Sequence, residues 1–315
     1  MAKLRCWLRS LERFAMVVAS MGAIACASAA LPCSAQESGT RGVTPEEFIK
    51  ARPAKPGAKA SAHAAYKLVG TPLKSKAGTR DMGITIWRLR PSRETDGGPR
   101  ILVQEGPESV SWTPERVAAG TRLRMGDRVR LTIESPRNGY LYVIDREQYT
   151  TGEMGEPYLI FPTTRINKGD NKVSAGKIVD LPAQEDRPNY FTLRQSRKDQ
   201  SGEMLTVIVA DKPLEDAQIG ENALKLSSEQ VAEWEKEWGR LSERFELSGG
   251  AGRTWTKVEQ EAGLDGTRRL TQDDPGPQTI YRIVGGDGPV LANVELKYGR
   301  ADTQKSAARN APGRP

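Results

Sequence analysis

Past residue 33 the sequence has no cysteine. Cys6, Cys26 and Cys33 are its only thiols, and all three sit near the N-terminus. The rest of the chain therefore has no disulfide framework and must be held by a core, which 315 residues are long enough to build. Histidine is as scarce: His63 is the single copy, set among Ala, Lys and Pro. Without a second histidine or a downstream thiol, neither a Ser-His-Asp nor a Cys-His nucleophile can be assembled. Zinc, copper and haem lose their usual ligands for the same reason. A Walker loop is missing, and so is a G-x-G-x-x-G turn after a strand. The expectation is no cofactor, no metal and no catalytic residue.

Strong charge of one sign is missing too. The formal balance is +7, with 47 Lys and Arg against 40 Asp and Glu. Lys3, Arg5, Arg9 and Arg13 against Glu12 place part of that excess in Met1–Ala35. Elsewhere the two signs interleave, which is a solvated surface. A nucleic-acid partner would need a clustered basic stripe, and none is expected.

What is present begins with a leader. Four basic residues precede an apolar, Ala-rich run, Phe14–Leu31, and Cys33-Ser34-Ala35 puts small residues before Gln36. That is the order of a secretory signal cleaved after Ala35, and it places the protein in the periplasm or at the cell surface. The apolar run is short and made mostly of small residues, so no stable membrane insertion is expected after cleavage. Glu37–Arg80 is rich in Ala, Lys, Pro and Gly and reads as a flexible linker over 36–80. Within it, Pro45-Glu-Glu before Phe48 and Ile49 can start a short helix, and Tyr66–Val69 can form a docking strand.

From Asp81 onward, turn signals separate short apolar runs. Gly83–Arg90 and Arg100–Gln104 read as strands, and Ser111–Gly126 as a connection. In Arg128–Glu134, Val129, Leu131 and Ile133 alternate with Arg128, Arg130, Thr132 and Glu134, the period of a strand with one buried face. Ser135–Gly139 supplies a turn, so Arg128–Glu134 and Tyr140–Asp145 are expected to form a hairpin. Tyr158–Phe161, Val173–Leu181 and Tyr190–Leu193 are further strands, and the continuous apolar run Leu205–Ala210 is a central one. Beyond 215 the composition changes. Ser227-Ser-Glu-Gln230 is a capping box, followed by a stripe of Val231, Trp234, Trp238, Leu241 and Phe245 that would run to Gly249-Gly250. Gln278–Val284 and Val290–Tyr298 read as a last hairpin, and 301–315 as a disordered tail. The expected architecture is mainly β. An antiparallel β-sandwich, immunoglobulin-like or similar, occupies 81–215, and one amphipathic helix and a C-terminal hairpin over 216–300 pack on it.

Little in this chain carries chemistry. Ser174-Ala-Gly-Lys177 has the S-x-x-K spacing but lies in a strand-like run without companion motifs, and reads as a turn. Asp145, Glu147, Glu153, Glu156, Asp180, Glu185 and Asp186 could supply the two facing carboxylates of a hydrolase, without a signature that selects a pair. Asn167–Asn171 and Asp199–Glu203 lack the ligand spacing of a calcium loop. In Tyr140–Asp145, Leu141 and Val143 are expected in the core and Tyr140 and Tyr142 on a half-exposed face. Tyr149 and Tyr158 flank a long loop, Arg146–Pro157. Tyr140, Tyr142, Tyr149 and Tyr158 are thus the candidate contact surface.

One ordered series of short motifs goes further. It comprises Met125-Gly-Asp-Arg-Val-Arg-Leu131, Asn138-Gly-Tyr-Leu-Tyr-Val143, Leu159-Ile-Phe-Pro162, Ala175-Gly-Lys177, Leu181-Pro182 and Leu205–Asp211 before Lys212-Pro-Leu214. Over about residues 122–214 the series resembles a bacterial family known as domain of unknown function 4384. The resemblance implies an all-β accessory domain of exported proteins, found attached to caspase-like peptidases and protein kinases, with no catalytic residue to carry over. This chain lacks the peptidase His/Cys pair and the kinase motifs. The expectation is a non-enzymatic module that binds a protein partner outside the cytoplasm. An envelope glycan-binding module and a carboxylate hydrolase are the alternatives.

Overall fold

A period of two in the apolar residues organises the fold, as the computed structural model shows. It describes residues 45–54, 65–72, 78–105, 107–215, 217–239, 242–264, 268–284 and 288–299. All of these belong to one contact-dense unit, Gly42–Pro315. The leader Met1–Ala35, the three cysteines, His63, Leu241 and the tail 301–315 lie outside the described residues. The first half runs α1 (Pro45–Lys50), β1 (Tyr66–Val69), β2 (Thr79–Pro91), β3 (Ile101–Glu105), β4 (Glu108–Val117), β5 (Arg122–Leu123), β6 (Arg128–Glu134), β7 (Gly139–Tyr149) and β8 (Tyr158–Phe161). The second runs β9 (Lys172–Val173), β10 (Ile178–Leu181), β11 (Phe191–Thr192), β12 (Gln200–Ala210), β13 (Leu224–Lys225), α2 (Ser228–Trp238), β14 (Ser242–Leu247), α3 (Lys257–Leu264), β15 (Thr279–Val284) and β16 (Val290–Tyr298). None of the described helices is long and apolar enough to cross a membrane.

The protein is mainly β, and its strands form two sheets. Among the described residues the first has nine strands in the order β1-β14-β15-β2-β4-β3, with β6 on the opposite edge of β2 and β10 and β11 beyond it. The second has seven, β13-β8-β7-β12-β16-β5, with β9 beside β7. Pairing is antiparallel except for the two-residue parallel register between β5 and β16. One core cluster joins the sheets. Met82, Ile84, Ile86, Val129, Leu131 and Ile133 come from the first, and Leu141, Val143, Leu205, Val207, Val209, Val290, Ala292 and Val294 from the second. The back of the second sheet (Tyr142, Ile144, Ile208 and Leu291) is covered by Val231, Trp234 and Trp238 of α2. Ser227 caps that helix, accepting from the Gln230 N–H.

Two expected hairpins are not hairpins. Strands β6 and β7 lie in different sheets, and so do β15 and β16. Each pair delivers its apolar face to the shared core from opposite sides, so the connection must cross the sandwich. The 279–298 segment therefore completes both sheets rather than packing on a finished one. Sequence alternation cannot tell these cases apart, because a hairpin and a crossing put the same residues inward. Gly139 marks the first crossing. A Cβ there would be built into the Ala210 carbonyl oxygen, so Gly139→Ala is expected to cost about 1–3 kcal/mol or more. Urea unfolding checks it, and an unchanged midpoint would show that the crossing can relax.

Other expectations shift for local reasons. The Ser111–Gly126 connection holds strand β4. Helix α2 ends at Trp238 with Gly239 as its cap, and Phe245 lies on β14 instead. Strand β7 runs on to Tyr149, which shortens the 146–157 loop. The short helix and the docking strand are present as α1 and β1, and β1 pairs with β14. The described parts of 36–80 are thus built into the fold. Arg52 is buried, and its guanidinium makes a two-pronged ion pair with Glu134 at 2.9 and 2.6 Å.

Candidate functional site

The polar set of β6 is where the structure departs furthest from a simple sandwich. Arg130 is 1% exposed and Glu134 3%, so the strand is covered on both faces. Behind the first sheet lies a buried polar layer. Arg130 faces Asp180 at 3.5 Å, Thr132 donates to Asp180 at 2.7 Å, and the Trp87 indole N–H donates to Thr132 at 2.8 Å. Arg116 pairs with Glu259 of α3 and lies over the Trp87 ring at 5.2 Å. The layer encloses a cavity of about 30 Å³ between Arg52, Arg116, Glu134 and Glu259. That volume suits one or two waters and is far below a sugar ring. Each of its carboxylates is already committed to an arginine.

A second group of carboxylates gathers at one end of the core. Asp145 and Glu147 continue the inward face of β7, and Glu203 stands opposite Glu147 on β12. Tyr298 donates to Glu203, and Tyr149 and Ser196 both donate to Glu147 at 2.6 Å. Burial, then Glu203 and Glu147, push the Asp145 carboxyl up to about 8. Burial also raises Glu203. Among the described residues no three His, Cys, Asp or Glu side chains converge as metal ligands.

An open groove of about 470 Å³ lies near the same end. It is lined by Arg88, Arg90, Trp112, Arg124, Asp127 and Arg128, together with Leu89, Pro91 and Gly126. Three elements build it. Strand β2 outruns β6, whose register stops at Leu89 opposite Arg128. Strand β4 brings Trp112 opposite Pro91. The turn before β6 closes the third side, pinned by the Gly126 N–H on the Leu193 carbonyl at 3.0 Å. Arg90 is held by Asp96 at 2.7 and 2.6 Å and by Glu115. Those bonds hold the Arg90 guanidinium above its usual range and the Asp96 carboxyl below its own. Arg128 sits over the Trp112 ring at 4.2 Å and the Tyr190 ring at 4.7 Å. The Trp112 indole N–H is buried without an acceptor among the described residues.

The four sequence-selected tyrosines do not share a surface. Tyr142 is 3% exposed beneath α2, and its hydroxyl accepts from the Leu214 N–H. Tyr140 packs against the same cluster. Tyr149 is bound to Glu147 and covered by Arg197 at 3.9 Å. Only Tyr158, on β8, is largely exposed. Ser174 and Lys177 close a turn between β9 and β10. Trp234 and Trp238 stack at 5.4 Å and pack on the second sheet. The groove is not legible in the sequence because its arginines come from segments some forty residues apart.

Fold and groove together define a two-sheet antiparallel β protein with an arginine-lined depression at one end. Residues 122–212 match the family described as Domain of unknown function (DUF4384). The match spans under a third of the chain. It includes Arg124 and Arg128 but leaves Arg88, Arg90 and Trp112 to the flanking strands. No curated protein and no solved structure matches the chain.

Proposed function

We propose that this chain is an exported, non-enzymatic interaction module that binds a protein partner through the groove between Arg88, Trp112 and Arg124. The groove carries the reading. It is large enough for side chains of a partner, and its aromatic and arginine lining is the composition favoured at recognition surfaces. Export rests on the leader, whose basic start, apolar run and small residues before Gln36 follow the order of a cleaved signal.

The test is affinity capture with the full chain, tagged at its C-terminus, in the cells that make it. One stoichiometric protein, lost when Arg88 and Arg124 are both changed to Glu, is the expected result. Capture that survives the double change would move the contact surface elsewhere. Retention of polysaccharide in its place would favour the glycan-binding alternative. N-terminal sequencing of the recovered chain should begin at Gln36, and an intact Met1 would remove the cleaved leader.

A further inference from the structure

The groove's occupied and unoccupied valences say what kind of segment it fits. Arg90 is fully engaged: Nε meets Glu115 and both terminal nitrogens meet Asp96. Among the described residues Arg88 makes one ion pair, to Glu115 at 3.3 Å, and its side chain is 37% exposed. Arg124 is exposed and makes no side-chain hydrogen bond or ion pair among the described residues. The nearby carboxylates are already committed. Glu115 is shared by Arg88 and Arg90, Asp96 also caps the Arg93 N–H at 2.7 Å, and Asp127 accepts from the Arg124 N–H at 2.9 Å. Two guanidinia with spare donors therefore face a depression in which Glu115 and Asp96 are already paired with arginines and Asp127 is the one lining carboxylate.

The rim is apolar. Leu102 is 62% exposed, and Met125, between two groove residues, is also exposed. Leu102 pairs with Ser111 and Arg90 with Thr113, which puts Leu102 on the same face of the sheet as Arg90. The aromatic faces, by contrast, are taken. Trp112 and Tyr190 pack against the Trp87 cluster on one side and carry Arg128 on the other. A sugar ring would need a bare aromatic platform, whereas a peptide with carboxylates and an apolar side chain needs what is here.

Building on the interaction-module reading, we propose that the groove takes an acidic peptide segment bearing apolar residues, with Arg88 and Arg124 receiving its carboxylates and Leu102 and Met125 its apolar side chains. Guanidinium forks favour carboxylates by paired, charge-assisted hydrogen bonds. Binding of this kind weakens with added salt.

The probe is a short, labelled peptide of alternating glutamate and leucine, titrated against the full chain by fluorescence anisotropy. Controls are the glutamine–leucine peptide and a sulfated oligosaccharide of equal charge. Saturable binding of the acidic peptide is expected, about tenfold weaker in Arg88→Ala/Arg124→Ala and weaker in Leu102→Ser. Arg124 is exposed and Arg88 is half-buried against Glu115, so thermal melts of each variant, and binding by Arg124→Ala alone, separate lost binding from lost folding. Equal affinity in wild type and the arginine variant overturns the proposal, as does tighter binding of the oligosaccharide. If a captured partner depends on Arg88 and Arg124 but touches them with a neutral segment, the module reading stands and the acidic-segment inference falls.

Discussion

Glu259→Ala is expected to lower the unfolding free energy by about 3–5 kcal/mol, the cost of leaving one partner of a buried ion pair alone. Arg116 is buried, and of its two bonds from Nη2 one goes to Glu259 and the other to the Gly276 carbonyl at 2.9 Å. Its Nη1 has no hydrogen-bond partner among the described residues, so removing the carboxylate would leave the cation's hydrogen bonding to a single carbonyl. The same side chain starts α3. Glu259 accepts from the Thr256 N–H at 2.9 Å while Thr256 Oγ1 accepts from the Glu259 N–H at 3.2 Å, a reciprocal capping box. Water entering the enlarged cavity would soften the loss toward the lower figure. For a domain of this size, each kcal/mol moves the melting temperature by about 2–4 °C. Arg116→Met in the Glu259→Ala background should recover much of the loss, because it removes the stranded charge. Urea unfolding of the wild type, Glu259→Ala, Arg116→Met and the double variant reads the coupling, and additive effects would mean the pair holds nothing together.

That layer also shows where sequence patterning stops. Val129, Leu131 and Ile133 were legible as core from their period alone, and they pack there. The alternating partners Arg130 and Glu134 read equally plainly as polar, but polarity does not specify solvent. Their cover comes from chain far away: Arg52 after α1 meets Glu134, and Trp255 lies beside Arg130. A buried ion pair leaves no local mark, since each half looks like a surface residue. The helix boundary failed for a related reason. Val231, Trp234 and Trp238 set a true helical stripe, and Phe245 happens to continue its spacing from a strand. The tyrosines misled through burial: β7 is apolar on both faces because α2 covers the second, so Tyr140 and Tyr142 became packing residues. The motif series, by contrast, marked the segment that the family comparison matches.

The largest pH effect should come from Asp145. Its carboxyl faces the end of the core with Glu147 two residues along and Glu203 across the strand pair, and burial holds its pKa at about 8. The unfolded value is 3.8. Below that value both states carry the proton, and the contribution is whole. Between 3.8 and about 8 the unfolded chain has released its proton while the folded one keeps it, so stability falls as pH rises. Above about 8 both states are ionised and the loss is complete, on the order of 6 kcal/mol at most. Glu203, raised by the same burial, adds to the trend in the same direction. Asp145→Asn keeps the shape of the neutral acid and cannot ionise. It should match the wild type near pH 4 and exceed it by a margin that widens with pH, reaching a few kcal/mol by pH 9. Urea unfolding across that range, wild type against variant, measures the margin directly. Parallel curves would mean that Asp145 is already ionised in the folded protein. The three carboxylates would then have to be relieved by solvent entering the sandwich end, since the buried Asp145 Oδ1 has no hydrogen-bond partner among the described residues.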